Sequence, residues 1–68
     1  MSFEKRVLNK VREVFVDVSS YSAEFVNGSL FVECSVAQAV KLETALLKEL
    51  RCGIILSRIG DESSFDFV

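Results

Sequence analysis

The chain contains no histidine and no proline, and it has only two cysteines and three glycines among its 68 residues. Without histidine neither a Cys₂His₂ nor a Cys₃His zinc site can form, and two cysteines cannot make a Cys₄ site within one chain. The same absence removes the usual base that activates a serine or cysteine nucleophile. With no proline and no low-complexity stretch, nothing marks a linker, so residues 1–68 read as one small domain. The glycines stand apart at 28, 53 and 60 and form no phosphate-cradling loop. No apolar run approaches the ~20 residues that span a bilayer. The charged start Ser2-Phe3-Glu4-Lys5-Arg6 leads into no apolar export segment. The expectation is a cytoplasmic protein that uses no metal, no cofactor and no membrane.

What is present in excess is apolar side chain. Half the residues are hydrophobic and the mean hydropathy is +0.35 in a 7.6 kDa chain. A chain of this length buries only about 60% of its unfolded surface, so its core needs support from elsewhere. Self-association, as a homodimer, or contact with another protein is the expected remedy. Cys34 and Cys52 fall at strand positions among apolar neighbours and read as free structural thiols. Net charge is −2, but its distribution is uneven. Lys5, Arg6, Lys10 and Arg12 face only Glu4 in the first twelve residues, whereas residues 13–68 hold four basic and nine acidic side chains.

Asn27-Gly28 is the strongest local signal, since both residues tolerate the positive φ of a two-residue type I′ turn. Pairing outward sets Val26 opposite Ser29, Phe25 opposite Leu30, Glu24 opposite Phe31, Ala23 opposite Val32, Ser22 opposite Glu33 and Tyr21 opposite Cys34. One face then collects Tyr21, Ala23, Phe25, Leu30, Val32 and Cys34, and a one-residue slip would scramble it. A first helix is predicted from about Phe3 to Phe15, with Phe3, Val7, Leu8, Val11, Val14 and Phe15 in one arc. Its end is ambiguous, because Val14-Phe15-Val16-Asp17-Val18 also suits a strand. Ser35-Val36-Ala37-Gln38 is a capping box for a second helix over Val36–Arg51, ended by Gly53. Ile54–Ile59 reads as a strand whose first half is buried on both faces, followed by the turn cluster 60–63 and a last short strand over 64–68.

The resulting order α-β-β-α-β-β predicts an α+β two-layer sandwich. Moving the last strand to the front gives β-α-β-β-α-β, so the expected architecture is a permuted ferredoxin-like one. A right-handed crossover through the second helix leaves room for the terminal strand between the second and third. The alternative is a three-stranded αββαβ domain with a loose C-terminal tail. The stretch from Asn27-Gly28 to Cys52-Gly53-Ile54 resembles the BON domain in its turn, hairpin and helix-to-Gly-Ile spacing, and departs from it at Cys34, where that family has glycine. The resemblance implies this three-stranded alternative.

Four sets of residues are candidates for chemistry. Val26 and Phe31 lie on the otherwise polar hairpin face, and Phe65 and Phe67 in the acidic terminus; these four are the expected partner-binding residues. Lys5, Arg6, Lys10 and Arg12 define a second reading, a nucleic-acid-binding accessory protein that tracks phosphates through helix 1. Glu24 and Glu33 beside Phe31 argue for a protein interface there instead of a base-stacking platform. Glu43, near the middle of the second helix's apolar arc, defines a third reading, a small-molecule sensor with Glu43 in a pocket. The plainer role for Glu43 is a pairing with Arg58 or a helix 1 lysine. No second acid at fixed spacing and no histidine accompany it, so no catalytic residues are assigned. The leading expectation is a non-catalytic protein that acts through protein–protein contacts.

Overall fold

The computed structural model describes residues 2–68. The elements are α1 (Phe3–Val14), β1 (Ser22–Val26), β2 (Ser29–Glu33), α2 (Val36–Leu50), β3 (Ile54–Ile59) and β4 (Glu62–Phe67). Two helices cover one face of a four-stranded, wholly antiparallel sheet, giving an α+β fold. The strand order is β1-β2-β4-β3. Residues 62–67 are therefore not a tail: they form an inner strand with a ladder on each side.

Local chemistry accounts for most of these boundaries. Asn27 and Gly28 take φ of 50° and 83°, and the hairpin register runs from Val26↔Ser29 out to Ser22↔Glu33. Ser2 caps α1 by accepting from the Lys5 amide. The α1 helix stops at Val14, with Phe15 as C-cap donating its amide to the Val11 carbonyl, so the β-branched run beyond it enters a turn. Ser35 and Gln38 form the reciprocal capping box of α2, with bonds of 3.1 and 2.9 Å. The end of α2 differs from expectation. Arg51, not Gly53, adopts the left-handed conformation at φ 53°. Gly53 instead lies against Val68, where an added Cβ would come within 2.5 Å of Val68 Cγ2. Cys34 and Cys52 lie just outside the strands and are both free.

The core sits between the layers. Val7, Val11 and Phe15 from α1 meet Ala39, Leu42 and Leu46 from α2 over Leu30, Val32 and Phe65. Burying aliphatic and aromatic side chains contributes about 1.5–3 kcal/mol each. The two helices also join through charge, since Glu49 receives Arg6 and Lys10 at 3.5 Å. Because the last strand takes the place beside β2, β3 is displaced to the sheet edge. Ile55, read from sequence as doubly buried, is accordingly 54% exposed.

Candidate functional site

Among the described residues, no other element covers the face of the sheet turned away from the helices. Alternation along each strand decides what it displays. Register places Val26, Ser29, Asp66 and Ile55 in one row across the four strands. The next row is Glu24, Phe31, Ser64 and Ser57, and the third is Ser22, Glu33, Glu62 and Ile59. Phe31 thus stands half-buried near the middle, with Val26, Ile55 and Ile59 toward the corners. Four carboxylates (Glu24, Glu33, Glu62 and Asp66) share this face, and no lysine or arginine projects from its rows. The Ser29 hydroxyl donates to the Asp66 carboxylate and fixes one of them.

Of the expected partner-binding residues, Val26 and Phe31 belong to this face and the two C-terminal aromatics do not. Phe65 is fully buried between Leu30 and Leu56. Phe67 packs under the start of α1, its ring 5.2 Å from Phe3 and stacked 6.4 Å from Phe25. The physical reason is parity. In β4 the odd positions 63, 65 and 67 face the helices, and an inner strand needs its large apolar groups there. Ile55, Ile59, Glu62 and Asp66 take the places on the open face that sequence reasoning missed. The signal was available in the Gly60-Asp61 turn, whose Ile59↔Glu62 register fixes both strands.

The basic set on α1 divides. Arg6 donates to the Glu49 carbonyl at 3.0 Å and pairs with its carboxylate, while Lys10 bonds Glu13 at 3.2 Å and also reaches Glu49. The Lys10 ammonium is held above its ordinary value chiefly by the hydrogen bond to Glu13; partial burial opposes this, and the charges of Glu13 and Glu49 reinforce it. Lys5 and Arg12 remain on the solvent side. A shallow groove of about 470 Å³ runs between the helices, lined by Lys10, Lys41, Thr44, Ala45, Lys48 and Glu49.

Glu43 is half-buried on the flank of α2 and lines neither this groove nor the smaller one beside Tyr21. Its expected partners are engaged elsewhere: Lys10 as above, and Arg58 with the Cys34 carbonyl at 2.7 Å and the Ser63 hydroxyl at 2.8 Å. Ser63 is the buried polar residue of the core, and Cys34 Sγ completes its surroundings at 3.9 Å. This arginine–serine latch escaped the sequence reading, which left Ser63 in the turn cluster 60–63 instead of on β4 opposite Arg58.

Among the described residues no helix is long and apolar enough to cross a membrane. No group of three or more histidine, cysteine or acidic side chains is gathered as a metal site among them. Compared with known proteins, the chain matches no family model and no curated protein.

Proposed function

We propose that this protein is a non-catalytic contact module of the cytoplasm that works as a homodimer and presents its open sheet face to a cationic protein surface. The observation that carries the reading is the composition of that face. Four carboxylates surround a half-buried aromatic ring with no balancing base. An apolar anchor inside a ring of one charge suits a basic partner segment that brings its own hydrophobic side chain. Nucleic acid is disfavoured at this face by its sign. On α1 that alternative is weakened by the engagement of Arg6 and Lys10 with Glu49. The non-catalytic part of the reading rests on the polar clusters: Arg58, Ser63 and Cys34 bond one another in the layer interior.

In fold terms the reading is a ferredoxin-like sandwich opened at a different loop. Two features support it. The inner position of β4 is the one a permuted first strand would hold, and the two ends of the chain meet where Phe3 packs on Phe67.

The test is a titration of ¹⁵N-labelled protein with a lysine- and arginine-rich peptide carrying one tryptophan. Shifts are expected at Glu24, Phe31, Glu33, Ser57 and Glu62, weakening with salt and absent in Glu33→Lys/Glu62→Lys. Shifts confined to the helices, or none at millimolar peptide, would overturn the reading of this face.

A further inference from the structure

We infer that two copies of this chain join through β3, edge to edge, about a two-fold axis passing through Ser57. The inference rests on the homodimer reading above and names its seam.

The outer edge of β3 is ready for pairing. The Val68 amide donates to the Gly53 carbonyl at 2.9 Å, which sets the alternation of the β3–β4 ladder. Residues 55, 57 and 59 therefore turn their backbone groups toward β4, and Ile54, Leu56 and Arg58 turn theirs outward. Edge strands are ordinarily blunted by charge. The other edge, β1, carries Glu24 at its centre. The single charged residue of β3 is Arg58, and its guanidinium is drawn inward to Ser63 and Cys34. Nothing charged is left to repel a second strand.

Register makes the edge self-complementary. Antiparallel partners share a face, so a two-fold axis at Ser57 sets Ile55 opposite the second copy's Ile59, and Ile59 opposite its Ile55. These are two of the most exposed apolar residues of the sheet, 54% and 86%. The acids do not oppose the contact. Glu62 of one copy and Asp66 of the other would be three strand spacings apart, about 14 Å, beyond a Debye length of about 8 Å. Stacking the open faces on one another would instead confront eight carboxylates, four from each copy.

The helical layer repeats the pattern. Glu49 marks the flank of α2 that meets α1. Val36, Val40 and Leu47 lie about 140–180° around the helix from it, and all three are exposed. Since α2 packs over β3 and β4 while α1 meets β1, that apolar stripe overhangs the β3 edge. In the paired dimer the two α2 helices would run antiparallel about two strand spacings apart, close to 10 Å, the separation at which helices pack. A stable interface takes about 800 Å² per partner, near a fifth of the 4441 Å² this chain exposes. Glu43 interrupts the stripe and is its one unfavourable member.

The test begins with light scattering and sedimentation of the wild type, then Ser57→Cys, Ile59→Lys and Glu43→Leu in the full chain, with folding checked by circular dichroism. The two Ser57 Cα atoms would be about 4.5 Å apart, within disulfide reach. Mild oxidation of Ser57→Cys is expected to give a dimer bridged 57–57, mapped by peptide mass. Ile59→Lys is expected to raise the dimer Kd at least tenfold, and Glu43→Leu to lower it. A wild-type dimer that survives Ile59→Lys and yields no 57–57 bridge would overturn the seam and leave the homodimer reading standing. A wild type that stays monomeric at millimolar concentration would overturn both.

Discussion

Arg58 donates to the Ser63 hydroxyl at 2.8 Å from the same nitrogen that reaches the Cys34 carbonyl at 2.7 Å. One guanidinium thus ties β3 to β4 and to the connection between β2 and α2. Among the described residues every buried side-chain polar atom has a partner, and Arg58 is the charged donor to Ser63. Arg58→Ala would leave the buried hydroxyl and carbonyl without their charged donor, at about 2–3 kcal/mol. Urea unfolding should show that loss, and Lys41→Ala on the solvent face should fall within about 0.5 kcal/mol of the wild type.

The two faces of the sheet should separate by mutation. Phe65 is fully buried on an inner strand, and Phe65→Ala is expected to remove about 3–5 kcal/mol. At about 0.05–0.15 kcal/mol per residue, a 68-residue domain holds about 3–10 kcal/mol in total. The variant should therefore lose a large share of its stability and unfold far earlier in urea when followed by circular dichroism. Phe31→Ala, on the open face, should keep the native spectrum and lose about 1 kcal/mol. If the two were equally damaging, the open face would not be open.

The start of α2 rests on Ser35 and Gln38. Ser35→Ala removes the acceptor for the Gln38 amide and should lower stability by about 1 kcal/mol. Ser35→Asp should restore most of it, which a loss of side-chain packing would not allow. Thermal melts of the pair provide the comparison.

Lys10 makes the pH prediction. Its ammonium is stabilised in the folded state, so its contribution is complete below the unfolded value of about 10.4 and disappears as pH rises through the higher folded value. The stability gap between wild type and Lys10→Met should be constant from about pH 6 to 9 and close above about pH 10.5. Because the pairs with Glu13 and Glu49 are partly exposed, added salt should narrow it as well.

Much of this fold was legible where a local rule and the apolar pattern agreed. Asn27-Gly28 set the hairpin register, Ser35 and Gln38 set the start of α2, and the Val7–Val11–Phe15 arc became one wall of the core. What was missed lay in side-chain parity along β4 and in the exposure of the β3 edge. Phe65 and Phe67 look like exposed anchors in an acidic terminus until parity turns both inward. Ile55 looks buried until β3 is taken as the edge strand it is. Arg51 took the left-handed cap position usually left to glycine, and Gly53 two residues on serves a close approach to Val68 instead. Helical spacing alone puts Val36, Val40 and Leu47 on one side of α2. Only the position of α1 on the other flank shows that this side has nothing to cover it.

The contact between Phe3 and Phe67 has a mechanical consequence. Tension applied between the first turn of α1 and the end of β4 would load two unlike attachments at one corner. A helix held mainly by side chains can peel away a turn at a time. The strand it opposes is gripped by ladders on both sides, which must shear together. Pulled from its ends, the molecule should surrender α1 first and keep the sheet until last.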